Sequence, residues 1–312
     1  MKLLEAVPNF SEGRDLERVE RIVDRIAAHD VEVLDWSADP DHHRSVVTFI
    51  GAPSDVQAAA IAGAEEAIAM IDLREHRGVH PRIGALDVLP FVPLEEATMS
   101  DAVTAARGAA AAIETLGVPV YLYGSAAGAG PKDLATLRRG GFERLRDGWP
   151  HDRAPHHPAG RKSAHPSAGV TCVGARPVLL AWNVVVRGVP IERARAVAAA
   201  IRERGGGFPG LRALGLHLPR QQRVQISMNL EDPVRTSPLD VFRTIADAVA
   251  AEGGEIVETE VIGMMPDTLV HRGSADTLNL LDPRPARVLS HRVAEYVSAR
   301  AGSPTEIPDV TE

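Results

Sequence analysis

The stretch "GVHPRIGALDVLPFVP", residues 78–93, sets a histidine between a glycine turn and a proline, with an arginine two residues on and an apolar strand directly after. Pro81 disfavours a helical backbone at His80, and Gly78 lets the chain turn ahead of it. The ring is therefore expected to stand stiffly at the lip of a sheet. An imidazole with an ordinary pKa of about 6.5 both accepts and gives a proton near neutrality. Arg82 and Asp87 are close in sequence and are candidates to hold a substrate beside it. General acid–base chemistry is one reading of His80. A histidine that only caps a turn is the other.

Other residues suggest other chemistries. Of the 12 histidines, several cluster: His42 with His43, His76 with His80, and His151, His156, His157 and His165 further on. "DPDHHR", residues 39–44, contains the Asp-His-His of some phosphoesterases. Such metal sites need further ligands from other strands, and no second cluster accompanies this one. Solvated turn residues are the plainer reading, and no metal is expected. "YGSAAGAGPKDL", residues 123–134, lies between a strand and a helix as a phosphate cradle does. Its glycines at 124, 128 and 130 fit neither GxGxxG nor GxxxxGK[ST]. No GxSxG elbow is present. Cys172, in "GVTCVGAR", reads as a buried thiol rather than a nucleophile.

Composition narrows the classes. The chain has 312 residues, 45% apolar and 24% charged, which suits a soluble globular enzyme of two domains. The net charge of -8 and the lack of a basic patch argue against nucleic-acid binding. One cysteine allows neither an internal disulfide nor a CxxC site. The start "MKLLEAVPNFSEGRD" turns polar too soon for a signal peptide. No apolar run approaches the roughly 20 residues that span a bilayer. A cytoplasmic protein without membrane contact is the expectation.

The elements that must position these residues follow a pattern that occurs twice. "LLEAVPNF" reads as a strand, "LERVERIVDRIAA" as a helix, and "VEVLDWS" and "RSVVTFIG" as strands. "SDVQAAAIAGAEEAIAMI" is a helix with Ser54 as its expected N-cap, and "ALDVLPFVPL" a fourth strand. A helix near 101–116 and a strand at 118–124 extend this half. The second half repeats the order: strand "VLLAWNVVV", helix "IERARAVAAAIRE", strands "LRALGLHL" and "RVQISMNLE", a helix ended near Gly253, and strand "EIVETEVIG". The expected fold class is α+β, with two ferredoxin-like βαββαβ subdomains and a ligand cleft between them. The expected divisions are 1–177, 178–300 and a tail 301–312. An irregular connection of about 45 residues, including "GWPHDRAPHHPAGRKSAHPSAG", is expected to join the halves.

Five motifs come in order: "VPNFSEGRD", "HPRIGALDVLPFVP", "VPVYLYG", "SAGVTCVGAR" and "VQISMNLED". Together they resemble the glutamate formimidoyltransferase family, whose formiminotransferase domain also occurs fused to a cyclodeaminase. The resemblance runs from about residue 3 to 270. It implies two ferredoxin-like subdomains with folate between them. It also implies transfer of a formimino group from N-formimino-L-glutamate to N5 of tetrahydrofolate, a co-substrate, in histidine degradation, by a cytoplasmic homodimer. His80 stands where the family carries its catalytic histidine.

The same resemblance makes residues 160–169 the folate loop. Gly160, Pro166, Ser167 and Gly169 fit the family pattern, while Arg161, Lys162, Ser163 and His165 fill the rest, the two cations facing folate carboxylates. Asp39 and Arg44 lie where the family has acidic residues and an Asn-Arg pair, so a carboxylate there would meet a cationic formimino group. Gln225 and Asn229 share one strand face and suit polar contacts from the second half. The sequence departs from the family at Ser37, His43 and Ser125. Two alternatives follow: a relative acting on 5-formyltetrahydrofolate, or a non-catalytic folate-binding protein.

Overall fold

The structure is a computed structural model that describes residues 1–128, 133–270 and 274–302. The chain divides into two compact units, Met1–Pro177 and Val178–Glu312. Each is a mixed α+β unit with its own sheet.

The first unit opens with β1 (Lys2–Ala6) and β2 (Asn9–Phe10), which the sequence reads as one strand. The break falls at Pro8, which has no N–H to give a ladder, although its carbonyl still accepts from Val47 N at 3.1 Å. Then follow α1 (Leu16–Ala27), β3 (Val31–Asp39), β4 (Arg44–Gly51), α2 (Pro53–Met70), β5 (Leu86–Glu95), α3 (Met99–Thr115) and β6 (Val120–Gly124). Two short helices, α4 (Leu134–Leu137) and α5 (Gly141–Arg146), precede β7 (Thr171–Ala175). The sheet runs β1-β4-β2-β5-β7-β6, with β3 on the edge of β4.

Local chemistry sets the helix starts. Asp15 caps α1 by accepting from Arg18 N, and Thr98 with Asp101 forms a capping box on α3. Ser54 does not cap α2. Ala52 holds the N-cap position and Pro53 opens the first turn, where its fixed φ and missing N–H leave one fewer donor to satisfy. The alanine-rich faces of α2 and α3 are buried, including Ala59, Ala60, Ala106 and Ala109.

The expected irregular connection between the halves is corrected in one respect. It contains α4 and α5, and the stretch after it, "GVTCVGAR", to which the sequence reading gave no element, supplies β7, which lies parallel between β5 and β6. A short strand buried on both faces lacks the alternation that marks a strand in sequence.

The second unit contains β8 (Leu180–Arg187), α6 (Ile191–Ile201), β9 (Leu211–Leu218), β10 (Arg223–Leu230), α7 (Pro238–Ala251) and β11 (Glu255–Ile262). Its strands order β11-β8-β10-β9, all antiparallel. Trp182, Ile226, Val241 and Ile245 sit in its core. A short α8 (Ser274–Thr277) and a longer α9 (Leu289–Ala301) follow, neither anticipated from sequence. Of the expected tail 301–312, only Ala301 and Gly302 lie within the described residues. Among the described residues, no helix is long and apolar enough to cross a membrane.

Candidate active site

Two loops of the first unit meet at His80. One is the turn between β3 and β4; the other is the segment 76–83 before β5. Val79 N donates to Asp41 O at 3.0 Å. Gly78 approaches the His42 carbonyl so closely that any Cβ would clash with it, so the crossing requires glycine. The His42 ring stacks on His80 with centroids 5.6 Å apart and planes 24° apart.

His80 Nδ1 lies 2.8 Å from Pro81 O. A carbonyl only accepts, so Nδ1 carries the proton and Nε2 keeps its lone pair. Enclosure by the loops holds the His80 pKa well below the usual imidazole value, and the cations Arg44 and Arg138 and the His42 ring push the same way, against Asp87. At neutral pH the ring is therefore a free base with Nε2 available. The ordinary value expected from sequence does not apply, because neighbours far away in the chain set it.

Asp87 has no accessible surface. Its Oδ1 accepts from Ile83 N at 2.8 Å, and its Oδ2 accepts from Arg44 Nη1 at 2.8 Å and from Arg138 Nη2. Burial pushes the carboxyl upward, but Arg138, Arg44 and the Ile83 amide outweigh it and hold the pKa at about 2. Asp87 is thus an ionised hub that positions two guanidiniums, and substrate has no access to it. Arg44 is buried too and gives its Nε to Asn9 Oδ1 at 3.1 Å.

Behind the loops lies a second network. Glu12 Oε1 accepts from Gly13 N and Arg14 N at 2.9 Å and faces His43 Nε2 at 3.1 Å. Burial raises its pKa, yet these bonds bring it down to about 2. His43 accepts from Arg77 N at its other nitrogen, which leaves Nε2 as the donor to Glu12. Its ring stacks on His76 at 4.3 Å. His76 in turn gives Nε2–H to His43 O at 2.8 Å and accepts from Gly78 N, and burial lowers its pKa to about 4. These histidines spend their nitrogens on protein partners. Among the described residues, no three His, Cys, Asp or Glu side chains gather as metal ligands.

The remaining sequence candidates divide. Asp39 Oδ1 accepts from Asp41 N and His42 N, both at 2.7 Å, and so shapes the turn that carries His42. Arg82 is clamped by both oxygens of Glu143 at 2.7 and 3.0 Å. The 160–169 loop is tied to the His80 segment: Val170 N donates to Ile83 O, and Ala85 N to Ala168 O, both at 2.8 Å. Gly169 has φ +73, and a Cβ there would clash with Ile83 O. His165 Nδ1 accepts from Ala168 N at 3.0 Å, and Leu73 N donates to Ser167 O at 2.9 Å. Gly160 also has positive φ, 67°, while Ser163 is half-buried and Pro166 exposed. Arg161 Nε donates to Gly117 O at 2.7 Å, whereas the Lys162 side chain is exposed. Gln225 is buried and Asn229 exposed on β10, in the second unit.

Sequence reasoning missed Arg138 and Glu12, and singled out His76 only as a member of a histidine cluster. Glu12 lies inside a quoted motif, but only its burial marks it. Arg138 stands in "LRRG" with no local signal, since its partner is 51 residues away.

Comparison with known proteins identifies the family of the chain. The model of the formiminotransferase domain, N-terminal subdomain, matches residues 3–176, and that of the formiminotransferase domain matches 181–275. A glutamate formimidoyltransferase from Thermoplasma acidophilum is 40% identical over 277 residues, 86% of this chain and 89% of that one. One from Streptococcus pyogenes is 37% identical, over 85% of this chain and 89% of its own length. The formimidoyltransferase-cyclodeaminase of Sus scrofa is 37% identical over 85% of this chain and 50% of its own. Both units of the chain are thus matched, and it belongs to the formiminotransferase family.

Proposed function

We propose that this chain is a glutamate formimidoyltransferase. It moves the formimino group of N-formimino-L-glutamate to N5 of tetrahydrofolate, giving 5-formimidoyltetrahydrofolate and L-glutamate in histidine degradation. The observation that carries this reading is the 40% identity, across most of both chains, with the Thermoplasma acidophilum protein of that name.

The geometry at His80 suits the chemistry. N5 attacks the formimino carbon and must lose a proton, and the free Nε2 lone pair takes it. The imidazolium then gives that proton to the glutamate nitrogen as the old C–N bond breaks, which restores the free base. A pKa held low makes the imidazolium a willing donor in the second half. Acid–base help of this kind contributes about 10²–10⁴ in rate.

Tetrahydrofolate is the co-substrate, and the reading requires no metal. Arg44, Arg82, Asp39 and Asp87 shape the donor end around His80. Residues 160–169, held against Ile83 and Ala85, form the folate loop, with Arg161, Lys162, Ser163, His165, Pro166 and Ser167 between the two glycines. Gln225 and Asn229 of the second unit complete the set of proposed substrate-binding residues. The two units are the N- and C-terminal formiminotransferase subdomains, 1–177 and 178–300. A ferredoxin-like character is supported by the order β11-β8-β10-β9 and by β3-β4-β1 beside β5. The working form is a cytoplasmic homodimer, which sedimentation would test.

The test is an absorbance assay of tetrahydrofolate with N-formimino-L-glutamate, run on wild type and His80→Ala. Turnover that collapses in the variant while folate binding persists is the expected result. Turnover of 5-formyl compounds in place of the formimino donor would replace this reading.

A further inference from the structure

One guanidinium of the Asp87 hub meets no substrate group in the chemistry above. Arg138 directly follows α4 and reaches Asp87 from a segment distant in sequence. Asp87 Oδ2 takes both Arg138 and Arg44, while Oδ1 is spent on Ile83 N. One carboxylate therefore serves two guanidiniums, and the cluster carries an excess positive charge. Arg44 gives its Nε to Asn9, but the Nε of Arg138 is buried without a partner among the described residues. Surplus buried cationic charge is costly until an anion meets it. A guanidinium fork fits a carboxylate in both geometry and charge.

The cluster is tied to His80 along two short paths. Ile83, three residues after His80, donates to Asp87. Arg44 follows His42 by two residues, and the His42 ring stacks on His80. Any anion that neutralises the cluster therefore sits beside the proton-transfer centre.

Both substrates carry carboxylates. In N-formimino-L-glutamate the α-carboxylate is one carbon from the nitrogen that leaves, and the γ-carboxylate is three. In tetrahydrofolate the glutamyl carboxylates hang beyond an aminobenzoyl ring, far from N5. Proximity to His80 favours the donor. Resting on the transferase reading, we infer that Arg138, together with Arg44, binds a carboxylate of the glutamyl donor, with Asp87 positioning both guanidiniums.

The test compares wild type, Arg138→Ala and Arg138→Lys, varying the donor at saturating tetrahydrofolate. The donor KM should rise about 10–100-fold in Arg138→Ala, the loss expected for charge-assisted hydrogen bonds. The value of kcat should change far less, the tetrahydrofolate KM should stay put, and the lysine should recover only part. Formamidine, a formimino donor without carboxylates, should be used equally by wild type and Arg138→Ala. An unchanged donor KM, or an equal loss with formamidine, would overturn the inference. A rise in the tetrahydrofolate KM instead would assign the guanidinium to folate carboxylates and overturn it too. If Arg138 only neutralised Asp87, the double variant Asp87→Asn, Arg138→Met would restore the donor KM; the expected result is no restoration. Calorimetric titration of L-glutamate into wild type and Arg138→Ala stands apart from turnover. Loss of binding in the variant is expected even if the formimino donor proves wrong, and equal binding would sink the carboxylate site.

Discussion

The two units bury different things. The first buries Glu5, Glu12, Asp41, His42, His43, Arg44, His76, Asp87 and Arg153, while the second, among its described residues, buries only neutral polar groups: Asn183, Gln225, Thr236 and Thr259. Both are α+β units, each with an apolar core and its own sheet. Buried charge costs several kcal/mol per ion unless it is matched by partners. A fold that needed stability alone has a cheaper model in its own second half. In the proposed function the charges of the first unit have a purpose, since Asp87 and Glu12 anchor the loops that carry His80, Arg44 and His43.

The largest expected effect is at His80. His80→Ala should lower turnover by about 10²–10⁴, whereas Asn229→Ala in the second unit should mainly alter KM. Equal losses in kcat would break the contrast between the units.

Asp87 comes next. Asp87→Ala leaves Arg44 and Arg138 facing each other without a counter-charge, and breaking a buried ion pair in this way costs about 3–5 kcal/mol. Asn183→Ala removes a neutral buried amide that donates to Glu260 at 3.4 Å, worth about 1–3 kcal/mol. Urea midpoints of the two variants measure the difference, and similar values would mean the charges of the first unit are no more costly than neutral polar groups.

Glycine offers a third comparison. Gly169 (φ +73) faces the Ile83 carbonyl, while Gly253 (φ +76) has nothing within 4 Å of a built Cβ. Gly253→Ala should cost only the backbone strain, about 1–2 kcal/mol. Gly169→Ala adds a clash that must push residues 160–169 away from the His80 segment, so it should lower the melting temperature and, on the proposed reading of that loop, folate affinity as well.

The smallest effect is with acid. Glu12 and Asp87 have pKa values depressed to about 2. Their contribution to stability is complete above the ordinary carboxylate range and is lost as pH falls from about 4 toward 2. His76, lowered to about 4, also costs stability as pH falls below 6.5. Glu5, raised to about 7 by burial, acts in the opposite sense between 4.5 and 7. Below pH 4 nothing opposes the loss, so the first unit should unfold before the second. A Trp182→Phe variant leaves Trp36 and Trp149 as reporters of the first unit, and acid titration followed by their emission checks the order. Simultaneous unfolding with a far-ultraviolet signal from the whole chain would count against it.

Much of this was legible in the chain. The strand "RSVVTFIG" and the strand "LRALGLHL" are found at the expected residues, Arg44–Gly51 and Leu211–Leu218. Periodicity is a local property, and these segments have it. The strand Thr171–Ala175 was invisible because burial on both faces erases alternation. Ser54 was a sound cap by residue type, yet Pro53 beside it pre-empted the role. His80 stood out because Gly78 and Pro81 flank it, a signal carried by its neighbours in sequence.

The sequence alone determined the repeated strand and helix order within each half, the rigid setting of His80 and the family to which its motifs point, since each rests on residues adjacent along the chain. Only the tertiary structure decided which groups surround that histidine. Arg138 meets Asp87 across 51 residues, His76 meets His43 across 33, and Arg44 meets Asp87 across 43. Electrostatics acts through space, so the low pKa of His80 and the charge beside it belong to the fold and to no single stretch of sequence.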